Sequence, residues 1–487
     1  MSKRILFTHS YFMRFDPKQW NWKQPYPPLA TILAAAVLRE RGHDVQLFDT
    51  MFAHSPAEIL PYLEKFNPDY LVIYDDGFNY LTKMCLTNMR EAAWKMCSEA
   101  KRFGCKVIVS SSDSTDHFEA YLRHSADAVI LGEAEQTLTE LIENFRIDDT
   151  VSGIAFLKDN VAQKSTPRKM MTNISELPLP AWDLVDIEAY RKTWLSRWNY
   201  FSLNVATTRG CPYKCNWCAK PIYGNAYNMR TPDHVVHELE YLVANFGVDH
   251  IWFCDDIFGL RRNWLIEFAD LVEKKKLHFK YKIQSRADLL VQERYVEALA
   301  NSGCTSVWMG AESGSQKILD AMDKGTTITQ IHEANRLLKQ HGIKPAFFLQ
   351  FGYLGETIED IQQTISLLNE CLPDDIGISV SYPLPGTGFY EKVKGDLKEK
   401  TNWTDSDELK LMFKNTYSPA FYKQLHQYVH KNYRKHQAFE AVRNLFLNPS
   451  TADYQTIRRA ISMLYYIPVA FLEKQKLTKI EHASAVL

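Results

Sequence analysis

Twice along this chain, short apolar segments of strand character alternate with amphipathic helical ones. That alternation limits the fold more than any other feature, because a strand followed by a helix and another strand builds a parallel sheet. In residues 1–145 the strands read as Ile5–Phe7, Asp44–Asp49, Tyr70–Tyr74, Lys106–Ser110 and Ala128–Leu131. Helical patterns lie at Thr31–Arg41, closed by Gly42, and at about 84–103, closed by Gly104. This predicts an α/β fold beginning with a doubly wound, Rossmann-like parallel sheet. Ligands of such sheets sit beyond the carboxyl ends of the strands, which points to Thr8–Phe12, Asp75–Tyr80 and Ser110–His117. A second series over 197–400 has six strands: Ser202–Ala206, His250–Cys254, His278–Gln284, Ser306–Met309, Ala346–Phe351 and Ile376–Ser381. Helices such as Asp233–Asn245 and Thr357–Asn369 separate them, and the set fits a partial (β/α)6 barrel. Barrels collect their chemistry at the carboxyl ends of the strands.

The first strand of the second series runs into Cys211-Pro-Tyr-Lys-Cys215-Asn-Trp-Cys218. Three thiolates on one short polar loop suit three irons of a [4Fe–4S] cluster and leave the fourth iron open to a substrate or cofactor. A structural zinc site needs four ligands, and the next candidate after Cys218 is His234. The nine cysteines are an odd number and six are scattered, which argues for a reducing compartment rather than a disulfide framework. A formal net charge of −1 excludes a molecule-wide polyanion-binding field, and no nucleic-acid partner is expected. No apolar run approaches a membrane span and no signal pattern precedes Ile5, so a cytoplasmic location is expected.

The loop, with Trp217 before its last cysteine, resembles the signature of the radical SAM superfamily. The resemblance implies that Cys211, Cys215 and Cys218 hold the cluster. S-adenosylmethionine (SAM) would chelate the open iron and be cleaved on reduction to a 5′-deoxyadenosyl radical. It further implies SAM contacts from Trp217, from Asp255 and Asp256 after the second strand, and from Arg286 after the third. Glu312 and Ser313 in a GxESGS-like element would follow the fourth strand, and Gly352 and Gly355 the fifth.

Residues 1–145 resemble the cobalamin-binding domain that precedes the barrel in the branch containing BchE-like enzymes and class B radical SAM methyltransferases. The matching pieces are Pro27-Pro28-Leu29, Arg41-Gly42-His43-Asp44-Val45 and Gly132-Glu133-x-Glu135. Contacts implied at the strand ends are Thr8, Tyr11, Asp75, Asp76, Ser111, Ser112, Gly132 and Glu133. The axial-histidine motif DxHxxG is missing and His117 does not match it, which implies cobalamin with no histidine below the cobalt. Residues 146–196 read as a connector holding a hairpin strand at Ser152–Asn160 and the proline-punctuated Leu177–Asp183. Residues 401–487 read as a helical C-terminal domain. The resemblance implies methylation of an unactivated carbon of a small-molecule substrate, with a low-potential donor such as flavodoxin or ferredoxin. Three alternatives stand beside it: a non-methylating cyclase or oxidase of the Mg-protoporphyrin ester cyclase type, a methylthiotransferase using Cys85, Cys97 and Cys105, and a corrinoid or Fe–S sensor.

Overall fold

Tyr70–Tyr74 is buried at every position, as a strand covered on both faces must be. It lies inside a seven-stranded sheet of order β2-β1-β3-β4-β5-β6-β7. The computed structural model describes residues 2–75, 77, 86–144, 146–397, 402–447 and 453–484, the last three without their side chains. The first five strands are β1 (Arg4–Thr8), β2 (Asp44–Phe48), β3 (Tyr70–Tyr74), β4 (Lys106–Ser110) and β5 (Ala128–Ile130). They pair in parallel, with the crossover between β1 and β3 that marks a topological switch point. The strand pair assigned from sequence to the connector belongs to this sheet. β6 (Ile154–Lys158) pairs antiparallel with β5, and β7 (Val161–Lys164) with β6. The boundary at 145 therefore cuts through the first sheet, because the turn after the helix Glu135–Asn144 returns the chain to the β5 edge.

The second sheet contains β8 (Ser202–Val205), β11 (His250–Phe253), β12 (Lys280–Ser285), β13 (Cys304–Glu312), β14 (Lys344–Phe351) and β15 (Asp375–Val380). All are parallel and adjacent in chain order, with β8 and β15 at the two ends. This is the open, partial barrel read from the sequence. Its helices are well signalled locally. Thr231 caps Pro232–Phe246, which carries Pro at its first turn and ends at Gly247 with φ +55°. A capping box at Thr327 starts Ile328–Gln340. A short ladder of β9 (Thr208–Arg209) and β10 (Asn228–Met229) brackets the cysteine loop.

The connector joins the two halves: the Trp182 indole donates to Glu238 at 3.3 Å and Arg191 to Phe246 O on the barrel side, and further bonds reach the first half. Ala181 N donates to Ile32 O at 3.0 Å, Arg39 makes a bidentate pair with Asp183, and the Trp194 indole donates to Pro25 O at 2.8 Å. The C-terminal region is helical over Pro419–Leu447, Tyr454–Ile461 and Met463–Ser484. It closes on both halves: Thr87 N donates to Trp403 O at 2.9 Å and the Tyr433 hydroxyl to Pro373 O at 2.7 Å.

Candidate active site

The turn that delivers the cysteines is fixed by a buried carboxylate. Asp255, just past β11, accepts from the amides and hydroxyls of Thr207 and Thr208, four bonds of 2.7–3.0 Å. Three of these bonds fall on Oδ1 and one on Oδ2, so the carboxylate anchors the strand end. Burial still holds it above the carboxylate range, at about 6. Asp256, its neighbour, is half-buried at the same strand end. Next comes Gly210 at φ +78°, where a Cβ would stand 2.3 Å from Ala226 O and 2.9 Å from Tyr223 O. Only glycine lets the loop close on itself there.

Beyond that glycine, Cys211 is buried while Cys215 and Cys218 are half-buried. Lys220 holds the loop by donating to the carbonyls of Cys211 and Tyr213 and to Asn225 Oδ1. Asn216 was not singled out by sequence, yet it is the loop's main tether. Its amide donates to Ala321 O and Asp323 Oδ2 at 2.8 Å, and it accepts from the Tyr353 hydroxyl at 2.7 Å. The cysteine loop is thereby tied to segments beyond β13 and β14. Among the described residues no three His, Cys, Asp or Glu side chains converge on a single-ion position. Cys211, Cys215 and Cys218 lie on the one loop between β9 and β10. The buried indole N–H of Trp217, between two of them, has no hydrogen-bond partner among the described residues. It is an unsatisfied donor where the cluster and SAM would lie.

The barrel's strand ends supply charge beside this loop. Arg286 Nη1 stands 3.9 Å from Cys215 Sγ. Its guanidinium covers the Tyr213 ring at 3.6 Å, bonds Asp288 and donates to Lys324 O at 2.8 Å. Lys324, missed by sequence reading, makes a buried ion pair with Glu312 at 2.7 Å. Glu312 adopts φ +58° at a register shift between Gly310 and itself. A Cβ at Gly310 would sit 2.5 Å from Lys324 Nζ and 2.6 Å from Glu312 Oε1, so this glycine makes room for the pair. A left-handed glutamate is a strained backbone of the kind that clusters at ligand sites. Ser313 follows at the same strand end. Its buried hydroxyl meets Thr364 Oγ1 at 3.1 Å and accepts from Ser315 N, fastening the β13 end to the helix Ile358–Cys371. Gly352 and Gly355 both have positive φ. The amide of Gly352 donates to Glu356 and its carbonyl accepts from Asn415, so Gly352 faces the C-terminal region.

The crest of the first sheet abuts the cysteine loop. A Cβ on Gly77 would stand 2.9 Å from Ile222 Cδ1, and one on Gly132 would stand 3.6 Å from Ile222 O. Several polar side chains expected to meet cobalamin are instead bonded within the protein. The Thr8 hydroxyl donates to Phe48 O, Ser111 caps Ser112–Asp116 through Ser114 N, and Asp75 accepts twice from Ser10. Glu133 is held by Arg209 at 2.5 Å. Each of these four buried polar groups thus has a partner within the protein. Tyr11 and Ser112 are buried at the crest; Asp76 lies outside the described residues. His9, after β1, is held through its ring nitrogens by Asp49 and Thr50. Cys97 and Cys105 are buried structural thiols, and Cys85 lies outside the described residues. A cavity of about 2190 Å³ lies at the other end of the barrel, lined by Lys280, Lys282, Ser306 and Lys344 near the strands' amino ends. It is remote from the cysteine loop, so the cofactor residues are not its lining.

Comparison with known proteins agrees with this geometry. Residues 205–368 match the model described as Radical SAM superfamily. The chain is 27% identical over 387 residues to an uncharacterised methyltransferase of Pyrococcus horikoshii, covering 77% of this chain and 81% of that one. It is 28% identical over 285 residues to the anaerobic magnesium-protoporphyrin IX monomethyl ester cyclase of Rubrivivax gelatinosus, where it spans 56% of this chain but only 50% of the relative. Among solved structures, the cobalamin-dependent SAM radical enzyme OxsB superposes with a TM-score of 0.73 at 15% identity, covering 97% of this chain and 72% of that one. The likeness to OxsB extends over the sheet, barrel and helical region together. The cysteine loop at the carboxyl end of the first barrel strand thus falls within the segment, residues 205–368, that is similar to the Radical SAM superfamily.

Proposed function

We propose that this chain is a cobalamin-dependent radical SAM enzyme that methylates an unactivated carbon of a small-molecule substrate. The observation that carries the reading is the tethered three-cysteine loop. It faces the Arg286–Lys324–Glu312 constellation on one side and the carboxyl crest of the first sheet on the other. The methyltransferase name of the Pyrococcus relative and the cobalamin bound by OxsB support the choice of cofactor and outcome.

Cluster and SAM together supply a carbon-centred oxidant able to remove hydrogen from carbon, and cobalamin supplies the methyl group. The chain's own part is holding and shielding. Cys211, Cys215 and Cys218 would ligate three irons. Arg286 would hold a carboxylate by its fork, and the Glu312–Lys324 pair would meet the polar groups of SAM. Because Thr8, Asp75, Ser111 and Glu133 are bonded internally, a corrin on the crest would rest on backbone and apolar contact, aided by Gly77 and Gly132. Reducing power must come from outside, from a donor of flavodoxin or ferredoxin type.

Purification without oxygen in the presence of hydroxocobalamin tests the reading. About four irons and one cobalamin per chain are expected, with reductive SAM cleavage. Four irons without cobalamin would sink the methyl-transfer reading while leaving the radical SAM core. The cyclase likeness favours a second outcome, oxidation or ring closure with the same cofactors. A product heavier by one methylene distinguishes methylation from it.

A further inference from the structure

Among the described residues, a group of exposed large apolar side chains lies on the C-terminal helices. Phe446 is 82% exposed, Tyr454 78%, Leu464 77%, Ile461 64% and Phe471 61%. Leu447, Ile457, Tyr465, Ile467 and Leu472 are exposed beside them. Elsewhere exposed large apolar residues are scattered singly, which is ordinary; a contiguous set marks an interaction site.

Most of those on the last two helices form a stripe with helical spacing. Tyr454–Ile461 and Met463–Ser484 make one nearly continuous helical run, since Ser462 keeps helical backbone angles and Tyr466 N donates to Ser462 O at 3.0 Å. Positions 454, 457, 461, 464–465, 468 and 471–472 recur every three or four residues along it. At 1.5 Å per residue the stripe is about 27 Å long. The opposite stripe, with Ala470, Leu477 and Ile480, packs inward, and Glu473 accepts from Gln424 of the helix Pro419–Leu447. The helix therefore has its folding contacts on one side and a second apolar face that folding does not use.

We propose that this outer stripe is a membrane-surface docking face, lying in the interface of an anionic bilayer without crossing it. Interfacial helices combine an apolar face with flanking basic residues. Here Arg458, Lys474 and Lys479 are exposed on the same two helices. Neighbouring acids are already engaged: Asp453 caps Thr456 N, Glu473 meets Lys476, and Glu440 meets Arg443. Tyr454 and Tyr465 add the amphipathic rings favoured at headgroup depth. A second copy of the chain would set these basic residues against themselves across a two-fold contact. Phosphate headgroups complement them. No helix among the described residues is long and apolar enough to cross a membrane.

Flotation of the full chain with phosphatidylcholine–phosphatidylglycerol vesicles tests the assignment. The protein should float with mixed vesicles and bind pure phosphatidylcholine about tenfold more weakly. The double variant Leu464→Glu/Phe471→Glu should stay at the bottom of the gradient with unchanged melting temperature and iron content. Arg458→Gln/Lys474→Gln should lose the preference for mixed vesicles. Absence of flotation, or flotation of the glutamate variant like the parent, overturns the proposal. So does a dimer without vesicle binding that the glutamate variant converts to monomer, which would make the stripe a contact between copies.

Discussion

Arg209 lies 2.5 Å from Glu133 Oε1 and 2.5 Å from Glu135 Oε1, with all three side chains buried. It immediately precedes Gly210 and Cys211, whereas the two glutamates follow β5 of the first sheet. The ring of Tyr223, from the far side of the cysteine loop, lies 5.3 Å from the guanidinium. One buried cation thus joins the crest of the first sheet to both ends of the loop that carries the cysteines. The carboxylates hold the guanidinium well above its ordinary pKa despite burial.

Replacing Arg209 by Met strands two buried carboxylates. Removing one member of such a set typically costs about 3–5 kcal/mol. Arg209→Met is expected to lower the melting temperature sharply and to reduce iron per chain, because the loop loses its hold on the first sheet. Adding Glu133→Gln and Glu135→Gln removes the stranded charge and should restore much of the stability but not the iron. Melting curves and iron assays on the two variants check both parts; equal iron in parent and triple variant would falsify the positioning role.

Gly210→Ala gives a cleaner failure. The substitution adds a Cβ 2.3 Å from a backbone carbonyl at a left-handed φ, and a carbonyl cannot swing aside as a side chain can. The loop must open, so the iron retained per chain after reconstitution should be mostly lost. The sheets and their cores do not depend on this glycine. Far-ultraviolet circular dichroism should be unchanged.

Much of this architecture was legible in the sequence, and what was not has one physical cause. Strand positions and the cysteine loop could be read because their signals are contiguous: apolar runs, capping residues, glycine stops and a fixed cysteine spacing. The sequence places Asp255, Ser313 and Glu133 at strand ends, where ligands gather. It does not reveal what else arrives there. The partners that claim them are Thr207 and Thr208, Thr364, and Arg209, the last 76 residues away along the chain. Lys324 and Asn216 escaped notice for the same reason. Neither belongs to a periodic pattern, and each matters only through residues that folding brings to it. A lysine following a short helix and preceding Gly325 was the one available hint of a strand-end partner for Glu312.

On the proposed reading, the Glu312–Lys324 pair offers a test of SAM binding apart from cluster assembly. Lys324→Met leaves the cysteines and their tethers in place while removing the cation that fixes the left-handed Glu312. SAM affinity should fall about tenfold, equivalent to about 1.4 kcal/mol, with iron content near that of the parent. Equilibrium dialysis with labelled SAM on reconstituted protein measures it. Unchanged affinity would place SAM away from this pair.

Glu356 makes stability depend on pH. Burial is the main reason its carboxyl is pushed up to about 8, opposed by the Gly352 amide and reinforced by the Asp360 charge. One oxygen accepts from Gly352 N at 2.7 Å, and the other has no hydrogen-bond partner among the described residues. In the unfolded chain a glutamate titrates at about 4.3. Between those values the folded state binds the extra proton, so this group's stabilising contribution is complete below about 4.3. It is lost as pH rises toward about 8, the sign required when the native state holds more protons. Glu356→Gln mimics the protonated form and cannot titrate. It should match the parent near pH 5 and be more stable by about 1–3 kcal/mol near pH 8, a discounted share of what the shift allows. Denaturant melts at the two pH values decide it. A gap that stays constant with pH would show that Glu356 is ionised in the folded protein, its second oxygen satisfied by water.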